Sequence, residues 1–339
     1  MRALLTDAKS RLWLQEVPLP EIGDYDCLVR IEACLFCHST DRHIVEGTFP
    51  CAFPNPSILG HESIGVIEEI GAKVKSLKIG DRVLRGFAIY PDEMQGGCGS
   101  AWGGFAEYGK VRDWQSMVQD GLIATESVPP YFHYMQRVPA DIPMEKALLM
   151  VTQKEILSAQ RKIDDPAGKK VLIAGAGITA CLFGLFLKQR GAHVSIAARR
   201  ADALAQVQSL GVADQVRLLS DARRSPPDFD ALIDTTGSVA IIRNLVETAL
   251  RPGAPVYCYA IYADKEQAAC FAELGATRRV QRIDPAEDSA HEEVVAMIRQ
   301  GLLDPTPFIS GCFRLSEYQE AWESVIGRRS LKTGILFGR

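Results

Sequence analysis

Two short stretches near the start of the chain carry the residue types best suited to chemistry. Ile58-Leu59-Gly60-His61-Glu62-Ser63-Ile64-Gly65-Val66 sets a His-Glu pair among apolar residues and glycines. Leu35-Phe36-Cys37-His38-Ser39-Thr40-Asp41-Arg42-His43 adds a thiol, two imidazoles, two hydroxyls and a carboxylate. Together they supply the soft and borderline ligands and the proton carriers of a catalytic zinc site. Taken singly, Cys37 reads as a core thiol and His61 as a satisfied buried imidazole. The chemical reading rests on their combination with a third motif.

That motif is Gly175-Ala176-Gly177-Ile178-Thr179-Ala180, which follows the apolar run Lys170-Val171-Leu172-Ile173-Ala174 and opens a helix-like pattern. This is the strand–turn–helix context that a dinucleotide fingerprint requires. The first glycine permits a tight turn, and the second lets backbone N–H groups approach a pyrophosphate at the helix N-terminus. Ala180 replaces the third glycine, where only close helix packing is at stake. Past the next strand the chain reads Ala197-Ala198-Arg199-Arg200, with no carboxylate before Asp202 to accept a ribose 2′-hydroxyl. An arginine pair suits the 2′-phosphate of NADP(H), so NADP(H) is expected over NAD(H).

The elements that must position these motifs fall into two patterns. Up to about residue 85, short alternating runs such as Cys27–Ala33 and Ile64–Ile70 are separated by turns and broken by Pro18 and Pro20. They predict a partly closed antiparallel β-domain of barrel type. Helix signals then run from Pro143 to about Arg161, and from Lys169 onward strands alternate with helices in the manner of a doubly wound parallel sheet. The tail, 305–339, is placed back on the first domain. The expected division is 1–150 with 305–339 for the β-domain and 151–304 for the cofactor domain, an α/β protein throughout. The aromatic stretch Val128–Met135 reads either as loop packing or as a wall of a pocket or subunit contact.

Composition narrows the function classes. With 38 basic and 42 acidic residues the net charge is −4, which offers no footprint for nucleic acid or an anionic membrane. The uncharged run Val171–Leu187 approaches membrane-spanning length, but Gly175 and Gly177 divide it into strand and helix. The N-terminus reaches Asp7 before an apolar segment of signal-peptide length develops. Nine cysteines, an odd number in 339 residues, argue against a disulfide scaffold and for a reducing cytoplasm.

The order Cys37, His61-Glu62, Gly80-Asp81-Arg82-Val83 and Gly175-x-Gly177-x-x-Ala180 resembles the zinc-dependent medium-chain alcohol dehydrogenases, in the branch of sorbitol and threonine dehydrogenases. The resemblance implies a GroES-like catalytic domain, a Rossmann cofactor domain and one catalytic zinc. It carries the metal-ligand role onto Cys37 and His61, and places Glu62 close to the metal as a ligand or through water. It assigns the first proton relay to the hydroxyl two positions past the cysteine, Ser39, with His43 able to pass the proton on. Asp41 is the candidate to orient His61. Three residues separate Cys37 from Asp41 where the family has two, so the relay falls to Ser39 or Thr40. A third protein ligand is expected near Leu148–Thr152, where the sequence offers Met150 but no ordinary zinc ligand. Glu155 lies about 7.5 Å farther along a helix and could substitute if that helix is shifted. Only Cys98 occupies the region where relatives carry four cysteines, so no structural zinc is expected. A homodimer or homotetramer acting on a small molecule completes the picture.

The activity expected is hydride transfer between NADP(H) and a secondary alcohol, polyol, sugar or cyclitol, or its ketone. The alternatives are a zinc-free quinone or enone reductase, and a nucleotide-binding sensor or structural protein that has lost catalysis.

Overall fold

The computed structural model describes residues 1–221, 227–262 and 267–338. The chain divides into two compact units, Met1–Val151 with His291–Arg339, and Thr152–Ala290.

The first unit is built on a seven-stranded sheet whose central strand is Asp26–Leu35, flanked by Lys332–Leu336 and Glu62–Ile70. Cys27, Val29, Ile31 and Ala33 alternate inward along the central strand, as a half-buried sheet requires. Both pairings are antiparallel, and Tyr108–Arg112 also bonds to the central strand. A second, four-stranded sheet joins Leu12–Glu16, Arg2–Thr6, Ser57–Ile58 and Gly99–Ser100. The β-domain expected from sequence is present as these two sheets, but it is not wholly antiparallel: Ile309–Arg314 runs parallel to Lys332–Leu336, and Ser57–Ile58 to Gly99–Ser100. Phe132 and Met135 from the Val128–Met135 stretch are buried, and the Phe132 ring packs 5.1 Å from Tyr90, so this part of the stretch is core packing.

In the second unit six strands run parallel in the order Gln215–Leu218, His193–Ala198, Lys170–Ala174, Ala231–Asp234, Val256–Cys258, Val280–Arg282. Numbered within the unit this is 3-2-1-4-5-6, the doubly wound order with its topological switch beside Lys170–Ala174. Val171 to Ala174 are buried, as expected of a strand covered on both faces. Cys181, Cys258 and Cys270 are buried thiols within this unit.

Local boundaries differ from the sequence expectation in two places. The helix anticipated over Pro143 to Arg161 is two helices, Met144–Ala147 and Met150–Gln160. Helix His291–Arg299 belongs with the first unit, ahead of the return at residue 305 read from sequence. Two contacts hold it there: Arg299 pairs with Asp141, and the His291 ring lies 3.0 Å from the Arg137 carbonyl. Among the described residues no helix is long and apolar enough to cross a membrane.

Candidate active site

The central strand of the first unit ends in fully buried residues, Ala33 to Phe36, and delivers Cys37 half-exposed at its tip. The chain then winds into helix Thr40–Val45. One helical turn separates Cys37 from Asp41: the Asp41 amide donates to the Cys37 carbonyl (3.1 Å), and the Cys37 amide donates to Asp41 Oδ2 (2.8 Å). The extra residue between Cys37 and Asp41 is absorbed by this turn, because an i, i+4 spacing returns the carboxylate beneath the cysteine.

His61 enters from the neighbouring strand. Gly60 before it has φ +105°, and a Cβ there would collide with Phe105, so only glycine lets the chain turn so close to that ring. The two ring nitrogens of His61 face different partners. Nδ1 stands 3.2 Å from Asp41 Oδ1, an ion-pair contact in which neither atom has an aligned hydrogen bond. Nε2 lies 3.9 Å from Glu62 Oε1. Burial pulls the His61 pKa down, but the Asp41 carboxylate and Cys37 outweigh it and hold the ring well above its ordinary value. The environment therefore favours positive charge at this point.

Cys37, His61 and Glu62 each offer a ligand atom, and these atoms lie within 4.8 Å of one another. A thiolate, an imidazole and a carboxylate so converged fit a zinc ion, with Asp41 placed to fix the imidazole from behind. Among the described residues no other Cys, His, Asp or Glu atom joins the group. Met150 is buried at the first position of its helix, and Glu155 is half-buried on the same helix, outside the group.

Of the proposed proton carriers, Ser39 is exposed and Thr40 half-buried. His43 is half-buried, its Nδ1 2.7 Å from Thr48 Oγ1, and burial with the Arg42 charge beside it holds its pKa down. His38, which sequence left without a role, lies 3.4 Å through Nε2 from Ser330 Oγ, and burial and the Lys332 charge lower its pKa to about 4.

The structure adds one residue that sequence reading missed. Lys332, on the strand beside the central one, buries its ammonium against Glu62 Oε1 and the Phe36 carbonyl. The signal was a lone lysine in an otherwise apolar strand, Thr333-Gly334-Ile335-Leu336, too weak to name a partner 270 residues away.

In the second unit Gly175 has φ +114°, and a Cβ there would strike Thr235 Oγ1, which itself donates to the Ala174 carbonyl. A Cβ on Gly177 would meet nothing within 4 Å, which leaves open space at the N-terminus of helix Ile178–Gln189. That opening suits a pyrophosphate. The turn is braced by Asp234, which accepts from the Thr236 and Gly237 amides, the Thr236 hydroxyl and Tyr262 Oη. Thr179 and Ala180 lie in the first turn of the helix, and Ala176 in the turn before it. Arg199 and Arg200 are exposed just beyond strand His193–Ala198, with Arg200 Nε 3.2 Å from Asp202.

A two-unit protein with a thiol–imidazole–carboxylate group in a β-domain and a glycine turn in a doubly wound sheet has the build of a nicotinamide-dependent dehydrogenase. Comparisons agree. The alcohol dehydrogenase GroES-like domain matches residues 23–120. D-arabinitol dehydrogenase 1 of Uromyces fabae is 24% identical, over 99% of this chain and 97% of its own. L-threonine 3-dehydrogenase of Proteus mirabilis is 28% identical, over 71% of this chain and 72% of its own. Among solved structures, alcohol dehydrogenase TADH from Thermus sp. ATN1 superimposes with a TM-score of 0.76 at 20% identity, covering 99% of each chain. The chain thus carries an alcohol dehydrogenase GroES-like domain and is similar along its length to alcohol and polyol dehydrogenases, which are oxidoreductases.

Proposed function

We propose that the protein transfers a hydride between the nicotinamide C4 of NADP(H) and the carbinol carbon of a secondary alcohol, polyol, sugar or cyclitol, or its ketone. The observation that carries this reading is the convergence of Cys37, His61 and Glu62 within 4.8 Å. A zinc ion held by these three would polarise the substrate oxygen and ease loss of its proton. Asp41 holds the His61 ring with Nε2 turned toward Glu62. Thr40 Oγ1 or Ser39 Oγ would take the hydroxyl proton and the His43 imidazole would pass it on, while the bound cofactor would accept the hydride with its electron pair. Arg199 and Arg200 would hold the 2′-phosphate, and the Gly175–Ala180 turn would hold the pyrophosphate. A cytoplasmic homodimer is the setting that goes with this reading.

The buried Lys332–Glu62 ion pair favours a second reading, in which Glu62 is structural and the protein works without zinc as a quinone or enone reductase. Metal analysis of the purified protein, combined with a hydride-transfer assay on a panel of polyols and ketones, separates the two. Stoichiometric zinc and turnover lost on chelation and in C37S and H61A variants support the first. Turnover that survives both treatments removes zinc from the reaction, and binding of NADPH without any turnover removes catalysis altogether.

A further inference from the structure

Beside the candidate ligands stands an aromatic wall that hydride transfer does not itself require. The Trp102 ring centroid lies 5.2 Å from that of His61, with the planes tilted by 53°. Phe53 packs 5.3 Å from the indole, and Phe49 meets it edge-on at 5.9 Å. All three rings lean on the core cluster around Phe36 and Phe105, yet each retains accessible surface.

The backbone under Trp102 is unusual. Its φ is +66°, in the left-handed region that bulky residues rarely adopt. The surrounding bonds over-determine this conformation. Ala101 N–H donates to the Ile58 carbonyl at 2.8 Å, Gly104 N–H to Gly60 at 2.7 Å, and Phe105 N–H to Leu59 at 2.8 Å. Gly103 turns with φ +73°, and a Cβ there would sit 2.9 Å from the Ala88 amide nitrogen. The segment carrying Trp102 is thus fastened on both sides to the segment carrying His61. A strained conformation fixed this firmly beside a candidate metal ligand points to a role in what the site binds.

We propose that Trp102, with Phe49 and Phe53, forms the specificity wall of this site, and that the substrate carries a ring next to its carbinol carbon, seated by its apolar face on the indole. The inference rests on the oxidoreductase reading above and names its substrate class. An aryl or alicyclic ring offers a flat face that gains stacking and apolar contact with the indole. An open-chain polyol presents a hydroxyl at every carbon, and those turned toward the rings lose water without gaining a partner.

The test is kcat/KM of the full-length, zinc-loaded protein with NADP+ on 1-phenylethanol and cyclohexanol against D-arabinitol and 2-butanol. The wild type is expected to favour the ring alcohols by about tenfold or more. In W102A the ring-to-open-chain ratio falls about tenfold, and W102F retains most of it. F53L, away from the strained backbone, lowers the ratio by a smaller factor and decides the matter with W102F if W102A does not fold. Equal turnover of open-chain substrates by the wild type, or an unchanged ratio in the folded variants, overturns the inference while leaving the oxidoreductase reading intact. No turnover of any alcohol or ketone overturns both.

Discussion

At position 332 an ammonium group with 1% of its side chain exposed is bonded to a carboxylate, Glu62, that is equally buried. Two charges removed from water are tolerated only as a pair, so removing one leaves the other without compensation. K332M is therefore expected to destabilise the chelator-treated protein by about 3–5 kcal/mol in urea unfolding, whereas K332M/E62M returns close to wild-type stability. Equal destabilisation in the single and double variants would show that the lysine acts through packing alone. At this scale, legibility followed locality. Cys37, His61, Glu62 and Asp41 sit within two short stretches, and their residue types, combined with the glycine motif, suggested a metal site with Asp41 behind the imidazole. Lys332 and Trp102 gave no such signal. The pairing of one is set by strand register across the chain, and the φ of the other by backbone bonds to residues 58–60.

The central strand Asp26–Leu35 leads to the candidate cysteine, and its far end is fixed by the polar contacts of Asp26 as well as by the buried Cys27 and Val29. Asp26 accepts from Arg112 Nε (2.8 Å) and Nη2 (3.1 Å), from Tyr90 Oη (2.9 Å) and from the Gly23 amide (3.0 Å). Burial pushes its pKa up, but the bonds and charge of Arg112, with the Gly23 amide and Tyr90, outweigh this and hold the carboxyl below its ordinary range. Its folded pKa lies below the unfolded value of about 3.9, so the stabilisation is full above that value. It is lost as pH falls through the folded pKa. D26N is expected to cost about 3 kcal/mol at pH 7, with the difference from wild type shrinking below about pH 4 in thermal scans. A difference independent of pH would assign the loss to packing instead. This strand was visible in sequence as an alternating run, and the Gly175 turn as a motif after an apolar strand. The break at Leu148–Leu149 within the predicted Pro143–Arg161 helix was not visible, because both leucines favour helix and no Gly or Pro interrupts Met144–Gln160.

On the scale of the whole molecule, the chain leaves the β-domain after Val151 and re-enters it at His291, so the parallel sheet is an insertion with its own core. The candidate metal ligands all lie in the outer unit and the glycine turn lies in the inserted one. A ligand that binds only the folded form stabilises the unit that holds it, by about 2.7 kcal/mol at a hundredfold excess over Kd. Calorimetry is therefore expected to resolve two transitions, because units with separate cores need not unfold together. Chelation should lower one and leave the other in place. NADPH should raise the second by more than NADH does, and R199A/R200A should remove that difference while keeping the common part, since only the 2′-phosphate distinguishes the two cofactors. A single transition that moves with both ligands would mean that the units unfold cooperatively. An NADPH shift equal to that of NADH in the unaltered protein would remove the two arginines from cofactor choice.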